Sequence, residues 1–291
     1  VLTVELIGTF ASVTIFTLML TIGVNETFEE LISLWRRSAV LLRSLVAAIV
    51  LVPAVVILLL LAFDLPPAVA TGLALLAAAP GAPLTTTRSK IASADLTYVS
   101  SLQLALAMLA VILTPVWLAI YYALFDLTIE TIGLIDVASQ VARVTFLPVV
   151  IGLLLQRFVP ALTDRIRKPL NVLAGILFPV LVVIILVALA MAPELRESLR
   201  LGPVVIAAIL IMAVAALAIG HFVGGKKPEE RGGLAIACIA RNWGLAVYLA
   251  TLSEAGAASI PTMTVYLLLG AVSGIVYGLW IRRQVPGPGT D

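Results

Sequence analysis

Apolar runs of about 20 residues, each long enough to cross a bilayer as a helix, follow one another along this chain, and two of them are broken at their middles. The first break is Ala79-Pro80-Gly81-Ala82-Pro83, and the second is Ala240-Arg241-Asn242-Trp243-Gly244. A broken helix in lipid leaves backbone N–H and C=O groups unpaired, which is tolerable only where protein or a watery cavity satisfies them. Two prolines three positions apart remove two donors, and the glycine between them frees the backbone. Matched interruptions in the two halves of a hydrophobic chain point to the binding region of a secondary transporter.

Apolar residues make up 62% of the chain and charged residues 12%, with mean hydropathy +1.18. A soluble domain carries about a quarter charged residues, so the expected fold class is an all-α polytopic membrane protein. A net charge of +2, with basic residues scattered among loops, does not suggest a nucleic-acid partner. The one cysteine, Cys238, cannot form an internal disulfide, and the one histidine, His221, rules out a two-histidine metal motif. An intramembrane metalloprotease needs His-Glu-x-x-His, an aspartyl type two intramembrane aspartates, and a serine type a base other than a membrane-edge histidine. The chain offers none of these, so it reads as a non-enzyme. No charge ring or carbonyl-filter run marks a channel.

Nine spans are expected, at about 3–23, 38–62, 67–93 (broken), 96–123, 138–158, 170–192, 203–224, 230–252 (broken) and 259–283. Between the first two, Thr27 and Glu30 form a capping box that predicts a short interfacial helix over residues 25–35. Residues 286–291 read as a disordered tail. Pro53, Pro115, Pro148 and Pro179 read as ordinary kinks. Of the 18 basic residues, one set of loops holds Arg36, Arg37, Arg43, Arg88, Lys90, Arg157, Arg165, Arg167, Lys168, Lys226, Lys227, Arg231, Arg282 and Arg283. The opposite set holds Arg143, Arg196 and Arg200, and Arg241 stands alone in the second break. The bias makes the first set cytoplasmic, with the N-terminus outside and the C-terminus inside. The first four and last four spans share one order: two plain helices, a broken helix, a plain helix. The fifth span between them inverts the second set, which is the inverted-repeat plan.

At these residues the chain resembles the bile acid:sodium symporter family and its bacterial relatives. The matching stretches are Ala79-Pro80-Gly81 with its polar sequel, Leu113-Thr114-Pro115, Asn242 with Gly244-Leu245-Ala246, and Leu20-Thr21-Ile22-Gly23 leading into Glu26-Thr27-Phe28. The resemblance implies a core domain where the broken helices cross (about 38–123 and 203–283) beside a panel domain (about 1–24 and 138–192). It implies an integral protein of a bacterial inner membrane, an organic-anion substrate and frequent coupling to sodium. Many members have ten spans, and this chain looks like that plan without the first helix.

The resemblance also places sodium ligands on this sequence. Thr85 and Thr86 keep hydroxyls, Gln103 keeps an amide and Asn242 is retained, so these four are the candidate sodium ligands. The remaining places fall on Val99, Ala48, Ala237 and Arg241. Most of a sodium shell is missing and a cation stands inside it, so no cofactor is expected and sodium coupling is doubted. Arg241, at membrane mid-depth, needs a partner, and no acidic residue is expected near it. Two readings stay open: it neutralises carbonyl ends in the role of sodium and contacts the substrate, or it only pins the crossover.

The candidate substrate-binding residues are Arg241, Asn242, Thr85, Thr86, Thr87 and Gln103, with Pro80, Gly81, Pro83 and Gly244 forming the breaks. The threonines open the second half-helix, where free N–H groups favour an anion or receive ordinary caps. Arg88 and Lys90 either attract anions or anchor the helix end. Ser100, Ser101 and Gln103 line the cavity or join helices. His221 either couples a proton or is a satisfied interface histidine. The expected function is alternating-access transport of a small organic anion. The alternatives are a sodium-coupled symporter and a membrane sensor without flux.

Overall fold

The computed structural model describes residues 2–29, 35–125, 127, 133–191 and 202–285. Helix α1 is Leu2–Asn25, α2 is Ser38–Ala62, α3 is Pro67–Ala78 and α4 is Thr85–Ser89, which runs into a 3-10 turn at Lys90–Ala92. Then come α5 (Leu96–Leu124), α6 (Leu134–Phe158), α7 (Pro160–Met191), α8 (Pro203–Val223), α9 (Pro228–Ile239), α10 (Trp243–Ala250), the turn α11 (Glu254–Ala257) and α12 (Ile260–Arg282). Among the described residues every regular element is helical. This is the all-α membrane architecture that the apolar runs imply.

Among the described residues, eight helical stretches are long and apolar enough to cross a membrane. One of them, Pro228–Ala250, is counted whole but is interrupted at residues 240–242. The ninth expected span is α3 with α4, where residues 79–84 are not helical. Two span ends differ from expectation. Helix α6 starts at Leu134, and α7 starts at Pro160 and runs 32 residues. The charged stretch Asp164 to Lys168 reads as a loop in sequence. In the fold Pro160 opens the helix at its first position, and the charges lie in its first turns. Residues 30–34 of the expected interfacial helix, Glu30 among them, and the expected disordered tail 286–291 lie outside the described residues.

Gly81 adopts φ 77°, and a Cβ there would lie 2.9 Å from the Ala107 nitrogen and 3.1 Å from the Leu106 carbonyl carbon. Only glycine lets the first break turn left-handed against the backbone of α5. Gly23 and Gly152 bring α1 and α6 into backbone contact, since a Cβ on Gly23 would sit 2.2 Å from the Val149 carbonyl oxygen.

Pro53 is more than a kink. It has no N–H to give, so α2 widens into a π turn over Ala47–Leu51, in which the Val52 N–H reaches back to the Ala47 oxygen. The carbonyls of Ala48 and Ile49 lose their helical donors. Trp117 of α5 donates its indole N–H to the Ile49 oxygen at 2.7 Å, and Tyr121 donates to the Pro53 oxygen at 2.9 Å. Trp117→Phe removes that indole donor and trims the ring that packs beside Tyr121. It is expected to lower unfolding stability by about 1 kcal/mol, read by titrating folded protein in mixed micelles with a denaturing detergent.

Candidate functional site

The two breaks touch through their backbones: the Asn242 N–H donates to the Ala79 oxygen at 2.9 Å. Proline placement makes that bond available. In a continuous helix Ala79 would accept from residue 83 and Leu76 from residue 80, and both of those are prolines. The second break supplies the missing donors. The Arg241 side chain gives Nε to the Leu76 oxygen at 3.0 Å, one terminal nitrogen to the Ala77 oxygen, and the other to the Ala48 oxygen at 2.9 Å. One guanidinium thus closes the C-terminal end of α3 and the π turn of α2 together.

Arg241 is 3% exposed. Among the described residues no carboxylate pairs with it. Its positive charge faces the carbonyl end of a helix, where the macrodipole is negative. At the second break, short backbone bonds run from Arg241 N–H to the Ile239 oxygen and from Trp243 N–H to the Arg241 oxygen. Tyr266 of α12 donates to the Ile239 oxygen at 2.9 Å, and the Asn242 side-chain oxygen caps α10 by accepting from the Leu245 N–H.

The first break is closed from behind by α5. The Gln103 side-chain oxygen accepts both the N–H (2.9 Å) and the hydroxyl (2.8 Å) of Thr86, and its amide nitrogen donates to the Pro83 oxygen at 3.0 Å. Thr85 donates its hydroxyl to the Ala82 oxygen, and the Thr87 side chain is exposed.

A sodium ion fits this arrangement poorly. The oxygens of Thr86 and Gln103 already serve each other, Val99 and Ala237 are buried apolar side chains, and a guanidinium occupies the carbonyls at the crossover.

A narrow cleft, with enclosed room of only about 10 Å³, lies where the breaks meet α1 and α7. Arg241, Asn242, Trp243 and Gly244 line one side with Pro83 and Arg88, and Thr14 and Phe178 line another. Of the residues expected from sequence to bind substrate, Arg241 and Asn242 reach this cleft, whereas Thr85, Thr86 and Gln103 brace the first break beside it. Arg88 also borders an apolar groove walled by Ile91, Ile236 and Gly270.

Sequence reasoning missed two features. Trp243 lines the cleft with its ring edge-on to Phe178, and only its position beside Arg241 hinted at this. Glu230, 5% exposed at the start of α9, holds Arg37 and Arg43 of the α2 end, and Arg43 also donates to the Gly224 oxygen. His221 bonds the Tyr277 hydroxyl at 2.9 Å beside Trp280.

The model of the Sodium Bile acid symporter family matches residues 12–195, more than half of the chain. The match takes in the first break and ends before the second. No curated protein matches the chain.

Proposed function

This chain belongs to the sodium bile acid symporter family, whose members are membrane transporters, and from that premise we propose that it carries a small organic anion by alternating access without strict dependence on sodium. The observation that carries this reading is the Arg241 guanidinium seated on the Leu76, Ala77 and Ala48 carbonyls. A fixed cation there does what a bound ion does elsewhere: it neutralises the carbonyl end of a half-helix inside the bilayer. Being covalently part of the chain, it contributes no ion gradient to the cycle. Net flux then follows the substrate's own gradient or a proton.

In this reading α2 to α5 and α8 to α12 form the core, and α1, α6 and α7 form a panel against which the core rocks. The cleft between them is the site, facing Arg241 and Asn242 on one side and Thr14 and Phe178 on the other. The charge bias sets the N-terminus outside and the C-terminus in the cytoplasm. Glu230, Arg37 and Arg43 then tie α9 to α2 at the cytoplasmic end.

The test is ligand-induced thermal stabilisation of the purified protein in lipid nanodiscs, with a panel of organic anions in sodium or choline buffer. A ligand that binds only the folded state raises its apparent stability. Stabilisation by an anion in choline is the expected result. Stabilisation that requires sodium overturns the sodium-free reading and leaves an ordinary symporter. Strong binding without flux in liposomes leaves a sensor.

A further inference from the structure

If core and panel rock against each other, they part at one end of the molecule while they close at the other. A contact that bridges them at one end therefore sets which state the protein holds. One bridge is a hydrogen bond between α10 and α6: the Tyr248 hydroxyl donates to the Gln140 side-chain oxygen at 2.6 Å, across 108 positions of the chain. A second is a close approach between α1 and the end of α10. A Cβ on Gly8 would lie 2.6 Å from the Thr251 hydroxyl oxygen, so the Thr251 side chain rests on the α1 backbone. That hydroxyl donates back to the Tyr248 backbone oxygen at 2.7 Å, which fixes its direction.

Both bridges lie on one side of the cleft. The cleft lining reaches no further than Thr14 towards the start of α1 and Gly244 towards the end of α10, and in the other direction it runs through Leu18 and Arg88. By the charge bias the sealed side is the outer one. Ties at the opposite end join like to like: Glu230 holds Arg37 and Arg43 within the core, and Asn25 donates to Asn171 within the panel at 2.8 Å.

Resting on the core-and-panel reading, we propose that this structure is the inward-facing state, and that Tyr248 and Gln140 form the latch that keeps its outer face shut. Thr251 on Gly8 is the packing half of that seal. The chemistry suits a bond that must open in every cycle. A neutral phenol–amide pair between half-buried groups gains little net free energy, because water takes over its hydrogen bonds when the faces part. A buried ion pair at the same place would resist opening far more strongly. Tyr248 and Gln140 are positioning residues: neither lines the cleft, and each acts by setting which side of it is closed.

The test is double electron–electron resonance on the full chain in nanodiscs. A Cys238→Ala background leaves only introduced cysteines to carry spin labels. Ile135→Cys with Leu252→Cys reports the outer distance between panel and core, and Phe158→Cys with Lys90→Cys reports the inner one; all four native side chains are exposed. Wild type is compared with Tyr248→Phe, which loses only the hydroxyl, and with Gly8→Val, which wedges the seal apart. Wild type is expected to show a short outer distance. Each variant is expected to raise the ratio of long to short outer distances about fivefold, as the loss of one hydrogen bond implies, and to shorten the inner distance in a matching fraction of molecules. Outer lengthening with an unchanged inner distance makes the contact ordinary packing and overturns the latch. An outer distance that neither variant alters overturns it too. In both cases the carrier reading is untouched, because it stands or falls on stabilisation by an anion in choline.

Discussion

Arg241→Ala is expected to abolish ligand-induced stabilisation and to lower the melting temperature by on the order of 10 °C. The variant strands the carbonyls of Ala77 and Ala48 without donors and leaves Leu76 with only the Ala79 N–H at 3.2 Å. Each unsatisfied buried carbonyl costs about 1–3 kcal/mol. Water entering the vacated space recovers part of this, leaving about 4 kcal/mol, which for a chain of this size gives the stated shift. Arg241→Lys keeps the charge but offers no planar fork, so it can hold only part of this divided set. Its melting temperature is expected between the two. A further result separates the role of a sodium substitute from that of a simple pin. In Arg241→Ala the three carbonyl oxygens are free to ligate a small cation, so sodium is expected to stabilise the variant and not the wild type. Equal response of both proteins to sodium would refute the substitution.

Gly81→Ala is the second large effect. The residue sits at φ 77°, and the added methyl carbon would meet the Ala107 nitrogen at 2.9 Å. The left-handed backbone costs a side chain about 1–2 kcal/mol, and moving α5 away from the break adds a comparable amount. The expected loss is about 3 kcal/mol, measured as the midpoint of detergent-induced unfolding. The shift of α5 also moves Gln103, whose amide braces Pro83 and Thr86. Loss of stability should therefore come with weakened anion binding, although residue 81 itself is not among those lining the cleft. Unchanged stability would mean that the break relaxes without cost, contrary to the tight contact seen.

The resemblance read from Ala79-Pro80-Gly81 and its companions agrees with the family match over residues 12–195. The membrane class and the interruptions were legible because their causes are local. A run of apolar residues near 20 long has few other fates, and a proline cannot donate wherever the chain takes it. The same logic made Arg241 conspicuous, since a guanidinium in an apolar run must find acceptors. Less legible was Pro53. From sequence it reads as one kink among several, and its consequence, a free Ala48 carbonyl, matters only because Arg241 lies within reach. Thr86 and Gln103 look like ligands in sequence, yet they bond each other across the first break. Their separation of 17 positions gives no local sign of that pairing. Glu230 reads as a first-turn acid of α9, and its two arginines come from nearly 200 positions away.

By itself the sequence determined which groups would lack local partners: the backbone acceptors before Pro80 and Pro83, and the side-chain donors of Arg241. The tertiary structure alone decided which donor meets which acceptor. Missing donors and acceptors are set by covalent chemistry within four or five residues, whereas their pairing depends on how helices far apart in the chain pack.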